Sequence, residues 1–468
     1  MRQLFSNNHM LQHKIYVLAA CSAMIMGIGV PQLQAHTEPK IHTQDYPAAV
    51  LPDRVVMNLT ATPHESVALT WRTSTAAEQQ WVQFAEATHG PEFKREIREV
   101  QASTESPSIE GVESHHHSVV LEGLEGGKSY VYRVGSAGAW TEFFQFSVKR
   151  SDERFSFIYF GDAQNLLKQH WSRVIREAYV TLPRADFILH AGDLVNKPNN
   201  DWEWGEWFGA GGFIHAMIPS VMTPGNHEYK GGKLAAHWRP QFTLPMNGPK
   251  GVEALSETCY YTDYGNMRLV CMDSMVGLQL DSEEAVIQRQ WLDNVLAENR
   301  QKWTCVFFHH PLFASSTWSK SDKPEYRKLV REILDKHHVD LVLQGHDHGY
   351  GRGMVYNLPK GKKAVDAKSG TVYVVSVSGP KMYNVGHRPW ASRVAEGTQL
   401  FQTIEVEGDT LHYVAYTAAG AKYDGFTLEK VSGRKLNKIT EHQDLMDARV
   451  ITRDGKKYKQ DKDVELSE

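Results

Sequence analysis

Hydrophobic and polar positions follow two different rhythms along the chain. Between residues 51 and 148 the apolar residues come in short pieces, RVVMNLTAT, SVALTWRTS, WVQFAEA, HHHSVVLEGL, SYVYRVGS and TEFFQFSV, with turn residues between them. Alternation at this spacing predicts an all-β sandwich with Trp71 facing inward. From 149 to 432 the rhythm changes. The apolar runs FSFIYF, DFILHA, IPSVMTP, MRLVCMD, TCVFFHH and VDLVLQG now alternate with LLKQHWSRVIREAYVTL, EEAVIQRQWLDNVLAEN and YRKLVREILDKHH, which carry helical spacing. Strands separated by amphipathic helices predict an α/β layered domain. β-like pieces return after Thr371 (TVYVVSVSG, LFQTIEVEG, TLHYVAYTA). Residues 433–468 are charged, lack a core pattern and read as a peripheral or mobile tail.

The first 50 residues follow a third pattern. Arg2 and Lys14 precede an apolar run over residues 15–30, and PQLQA follows it. This is the order of an export signal, so residues 1–35 are expected to be a signal peptide cleaved near Ala35 and 36–50 a linker. Leu18-Ala19-Ala20-Cys21 also resembles a lipoprotein cleavage box, and an uncleaved anchor is a third reading. No later segment approaches ~18 apolar residues, so the mature chain is expected to lack a transmembrane segment and to be periplasmic or extracellular.

Composition narrows the class. The 468 residues are too many for one ordinary core, and 41% hydrophobic with 23% charged residues is a globular balance. A net charge of −4 gives no field that favours nucleic acid or an anionic membrane, and no nucleic-acid-binding surface is expected. Cys21 leaves with a cleaved signal. Cys259, Cys271 and Cys305 remain, so at most one disulfide can form. Cys259 with Cys271, Cys271 with Cys305, and three free thiols all fit the spacing. His115, His116 and His117 read either as a metal tract or as ordinary strand residues.

The candidate chemistry lies where the apolar runs of the second region end. FSFIYF ends in Gly161-Asp162-Ala163-Gln164, DFILHA in Gly192-Asp193, and IPSVMTP in Gly225-Asn226-His227-Glu228. TCVFF ends in His309-His310-Pro311, and VDLVLQ in Gly345-His346-Asp347-His348. Ligands of open α/β sheets bind beyond the carboxyl ends of the strands, so five strands would deliver these groups to one place. Carboxylate, imidazole and amide oxygen without thiolate suit Mn, Fe or Zn. The donors exceed one ion's needs and predict two divalent or mixed-valence ions, bridged by a carboxylate, that make a hydroxide available and clamp a phosphate.

These five motifs resemble those of the calcineurin-like metallophosphoesterases, most closely the purple acid phosphatases, over residues 52–430. The resemblance implies a fibronectin-III-like sandwich before the catalytic domain. It implies that Asp162, Asp193 and His348 hold one ion, that Asp193 bridges, and that Asn226, His309 and His346 complete the second. His310 is the rival of His309, which the family's spacing to proline favours. His227 resembles the histidine that contacts phosphate and protonates the leaving group. The sequence departs from the family in three places. Asn196 stands where purple enzymes carry a metal-bound tyrosine, so no purple colour is expected. Gln164 stands where many relatives have histidine, and either coordinates the first ion or bonds a bound water. The family's further substrate-facing histidines have no match, and Lys320 or Lys323 either serves the phosphate or lies in a solvated loop. Trp202, Trp204, Trp207 and Phe208 form either a substrate wall or a packed helix face.

The function implied is a dinuclear-metal phosphohydrolase on small phosphate esters, first of all a phosphomonoesterase of the acid phosphatase kind. Alternatives are a phosphodiesterase on nucleotides or glycerophosphodiesters and a non-catalytic surface-binding protein.

Overall fold

The computed structural model describes residues 46–152, 154–317, 321–354, 370–385, 390–433 and 435–449, with the backbone of Thr452–Arg453 and Lys456–Lys457. The expected signal peptide, Cys21 and Lys320 lie outside the described residues.

Two large sheets carry the motifs. Among the described residues one has eleven strands, ordered Lys438–Glu441, Lys422–Glu429, Thr410–Thr417, Leu400–Glu407, Phe155–Phe160, Phe187–His190, Ser220–Met222, Asp53–Leu59, Val67–Thr73, His115–Leu121 and Ser103–Glu105. The other has seven, ordered Tyr260–Tyr264, Met267–Cys271, Trp303–Phe307, Leu341–Gln344, Val372–Val375, Tyr350–Met354 and Arg393–Ala395. The motif-bearing strands 155–160, 187–190 and 220–222 are parallel to one another, as are 303–307 and 341–344. Their carboxyl ends therefore point one way within each sheet.

Side chains of the second sheet alternate between two cores. Leu269, Cys271, Cys305, Phe307, Leu341 and Leu343 join the core shared with the first sheet. Val270, Val306 and Val342 pack instead with Leu292, Val295 and Leu296 of helix Glu283–Ala297 and with Tyr326, Val330 and Leu334 of helix Pro324–Lys336. With both faces covered, the strands read as continuous apolar runs rather than alternating ones. Each such burial contributes about 1.5–3 kcal/mol. On the first sheet, Phe157 and Phe187 stack at 4.5 Å, and Phe187 meets Tyr264 of the other sheet.

The N-terminal region is a sandwich whose second sheet contains Trp81–Glu86, Arg98–Gln101, Ser129–Ser136 and Phe144–Ser147. Its core includes Leu69, Trp71, Val82, Phe84, Tyr132 and Phe146. The sandwich also joins the catalytic sheet: Asn58 pairs with Ser220 in parallel, and its side-chain amide donates to the Ser220 carbonyl (3.1 Å) while accepting from Thr243 N (3.2 Å). Buried Arg54 and Arg72 both reach Asp201, at 2.8 and 3.1 Å.

Several open readings are decided here. His115–117 begin an inner strand, with His117 bonded to the Thr73 and Thr104 hydroxyls (2.8 and 2.9 Å) rather than to a metal-binding partner set. Cys259, Cys271 and Cys305 are buried and free. Cys271 stands opposite Phe307 and Cys305 opposite Leu269, two positions out of step. Trp204, Trp207 and Phe208 are packed, with Trp207 stacked on His215 at 4.1 Å and Phe208 on Phe242. The tail reading is corrected for residues 438–441. Lys438–Glu441 is the edge strand of the large sheet, and Glu441 pairs with Arg352 at 2.7 Å. Ladder bonds, an ion pair and the single packed side chain of Ile439 hold it, too little to leave an apolar pattern.

Candidate metal centre

Five strand ends meet. Asp162 follows strand Phe155–Phe160, Asp193 follows Phe187–His190, Asn226 follows Ser220–Met222, His309 follows Trp303–Phe307, and His346 and His348 follow Leu341–Gln344. Two groups of ligand atoms lie within 4.8 Å of one another: Asp193, His309 and His346, and Asp162, Asp193 and His348. All five residues are buried, and Asp193 belongs to both groups.

The backbone reaches these places under strain. Asp193 has φ 52° and His346 φ 70°, left-handed values that cost a non-glycine residue of order 1 kcal/mol or more. Gly192 precedes Asp193 at φ 86°, and a Cβ there would stand 2.7 Å from both Gly225 N and His309 Nδ1. Glu228 holds the turn, accepting from the backbone N–H groups of Asp193 (2.8 Å), Leu194 (2.8 Å) and Gly225 (2.7 Å). Its motif was legible in the sequence, but this role needs the turn geometry to be seen.

Hydrogen bonds fix the histidine tautomers. His309 Nδ1 bonds the Ala191 carbonyl (2.8 Å) and His348 Nδ1 the Lys381 carbonyl (2.9 Å). A carbonyl only accepts, so each Nδ1 carries the proton and each Nε2 presents a lone pair. Those lone pairs face carboxylate and amide oxygens, and His348 Nε2 also meets the Gln164 amide nitrogen (3.2 Å). His309 Nε2 is 3.2 Å from both Asp193 Oδ2 and Asn226 Oδ1, and His348 Nε2 is 3.3 Å from Asp162 Oδ2. Asp162 Oδ2 is buried without a hydrogen-bond donor. Acceptors crowded on acceptors in a buried site are satisfied by cations, so the donor set fits the expected ions.

The charged groups of the cluster also act on one another. Burial opposes charge on His309, yet the carboxylates of Asp193 and Asp162 push it up to about 10. Burial also works against ionised Asp193, but His309 and His227 hold it well below the usual carboxylate range. Burial, partly offset by His309, raises Asp162 to about 7. Burial, then the His309 charge, pushes His346 down to about 3.

The remaining expected residues fall around this cluster. His227 N donates to Asp193 Oδ1 (2.9 Å) and its Nδ1 bonds the Asn196 carbonyl (2.7 Å). Gln164 lies inside: its Nε2 donates to Asp193 Oδ2 (2.8 Å), and its Oε1 is buried without a partner. His310 is not brought into either group. Its Nδ1 bonds Ser274 Oγ (2.9 Å), and its ring lies 4.3 Å from that of His346. Asn196 N and Lys197 N both donate to Glu203 Oε2 (2.7 and 2.8 Å).

Strand-end carboxylates and imidazoles on paired sheets, behind a β-sandwich, define a metallophosphoesterase. A family model described as calcineurin-like phosphoesterase matches residues 157–350, and one described as purple acid phosphatase, N-terminal domain, matches 52–148. The chain therefore carries a calcineurin-like phosphoesterase domain preceded by a purple acid phosphatase N-terminal domain. It is similar to acid phosphatase type 7 of Mus musculus, with 25% identity covering 66% of this chain and 72% of that one. It is also similar to the Fe(3+)-Zn(2+) purple acid phosphatase 12 of Arabidopsis thaliana, with 24% identity covering 55% of this chain and 58% of that one. The fold matches a purple acid phosphatase, PPD1, from yellow lupin seeds at TM-score 0.68 and 17% identity, covering 82% and 75% of the two chains. The protein is thus a metal-dependent phosphoesterase with a dinuclear centre of the purple acid phosphatase kind. Among the described residues no helix is long and apolar enough to cross a membrane.

Proposed function

We propose that the chain is an exported phosphomonoesterase. The observation that carries the reading is the sharing of Asp193 between two carboxylate–imidazole groups with His227 bonded to its carboxylate. Asp162, Asp193 and His348 would hold one ion; Asp193, Asn226, His309 and His346 would hold the other. When bound, the ions supply Lewis acidity, which makes a nucleophile available near neutral pH and offsets charge on the phosphoryl oxygens.

The protein's own groups do the rest. Glu228 fixes the strained turn that aims Asp193. The Asn196 carbonyl takes the Nδ1 proton of His227 as a hydrogen bond, which leaves Nε2 to pass a proton to the departing ester oxygen. Gln164 acts as a hydrogen-bond donor to Asp193 rather than as a ligand, because its amide nitrogen already points at that carboxylate. Asn196 supplies no phenolate, so the loaded protein should show no purple absorbance band.

Turnover of an aryl monophosphate and an aryl phosphodiester under identical metal loading tests the reading. Preference for the monoester supports it, and a strong diester preference would replace it with the phosphodiesterase reading. The signal-like segment over residues 1–35 supports export. A mature N-terminus near His36 on protein recovered outside the cytoplasm is the expected result, and an intact Met1 there would count against cleavage.

A further inference from the structure

Two loops rim the centre and are clasped together by a residue between two of the expected ligands. Asp347, buried between His346 and His348, accepts from Ser315 N (2.6 Å), Ser316 N (2.9 Å) and Ser316 Oγ (3.1 Å). That ties the segment after Pro311 to the His346–His348 turn. Thr317 N then donates to the Asn384 carbonyl (2.8 Å), and Ser316 forms a β-bridge with Val385. The second loop, residues 379–385, starts where Gly379 N donates to the Asp162 carbonyl (2.6 Å). It then passes along His348: the Lys381 carbonyl takes His348 Nδ1, Tyr383 N donates to the His348 carbonyl (2.7 Å), and the Tyr383 ring lies 4.6 Å from the His348 ring.

This geometry fixes where one cation stands. Lys381 Nζ lies 5.7 Å from the centroid of the Tyr383 ring, which itself touches His348. The ammonium is therefore within about 10 Å of an imidazole at the centre, about one screening length at moderate salt. Lys381 is half-buried, and it pairs with no carboxylate among the described residues. A cation held beside a site that gathers metal cations is electrostatically unfavourable unless an anion joins it. The scissile phosphate answers the ions; Lys381 calls for a second negative group.

We propose that Lys381, seated on Tyr383 and held by the Asp347 clasp, is a specificity-determining residue that binds a further anionic group of the substrate. Preferred substrates are then phosphate monoesters whose leaving group carries a carboxylate or a second phosphate close to the ester oxygen. The inference rests on the phosphomonoesterase reading and deepens it.

Three substrates with a two-carbon leaving group test it with the metal-loaded full chain: ethyl phosphate, phosphoglycolate, and the bisphosphate of ethane-1,2-diol. The parent should favour the anionic two in kcat/KM. In Lys381→Met the ratio to ethyl phosphate should fall about tenfold or more, the scale of a lost charge-assisted bond, and Lys381→Arg should retain it. Loss for only one of the two anionic substrates names the group recognised. A ratio that is the same in parent and Lys381→Met overturns the proposal, including the case where all three rates fall together. Calorimetric binding of the same compounds separates the two claims. Weaker phosphoglycolate binding in Lys381→Met without turnover in either protein retains this site and sinks the phosphomonoesterase reading. Turnover of all three with an unchanged ratio does the reverse.

Discussion

His227 is pinned on two sides, by its backbone N–H on Asp193 and by its ring on the Asn196 carbonyl. A group so placed matters for proton transfer more than for assembly. His227→Ala should keep both ions and lower turnover of an alkyl phosphate by roughly 10²–10⁴, with a smaller loss on an aryl phosphate, whose leaving group needs little protonation. Equal losses on both substrates would remove the general-acid role. Gln164→Ala should likewise keep its metal content, because the amide nitrogen faces Asp193; loss of one ion on elemental analysis would make Gln164 a ligand after all. At this scale the sequence was informative because each site residue ends an apolar run. It was silent on the role of Glu228, whose bonds go to backbone N–H groups of the Asp193 turn, and on that of Asp347, whose partners Ser315 and Ser316 lie some thirty positions earlier.

Helix Asp201–Gly211 is the element that joins the sandwich to the centre. Its first residue, Asp201, takes Arg54 and Arg72 from the sandwich, and its third, Glu203, holds the Asn196–Lys197 turn behind His227. Burial works against ionised Asp201, but His237, Arg54 and Arg72 hold it well below the usual carboxylate range. Asp201→Ala leaves buried Arg54 without its carboxylate and should cost about 3–5 kcal/mol in chemical denaturation. A loss under 1 kcal/mol would show that Asp53 and water suffice. Glu203 behaves oppositely: burial, against the bonds from Lys197 and Asn196, raises it to about 7. A carboxyl whose folded pKa lies above its unfolded value stabilises fully below the unfolded value and loses that stability as pH rises through the folded one. The protein should therefore lose stability from this group between about pH 4.5 and 7, and Glu203→Gln should flatten that slope. An unchanged slope would mean that another group sets it. The long strands and helices were legible from their periods. The edge strand Lys438–Glu441 and the short strands Arg98–Gln101 and Ser103–Glu105 were not, because their residues are mostly exposed and ladder bonds rather than burial hold them.

Across the whole molecule, the two motif-bearing sheets face each other over one core, and the sandwich extends the larger sheet through Asn58 and Ser220. The α/β rhythm of residues 149–432 anticipated layers, but not that the sandwich would continue a catalytic sheet. That junction is one strand pair, a few side-chain bonds and the packing of Val56 and Leu59 into the catalytic core, too little to leave a pattern. Because among the described residues no ligand atom of the centre comes from the sandwich, the ions should stabilise chiefly the paired sheets. The central claim is that both ions lean on Asp193. The most direct measurement is elemental analysis of the purified parent beside Asp193→Ala, at equal protein concentration. The account predicts about two ions per chain in the parent and close to none in the variant. Equal metal content in the two proteins would contradict it.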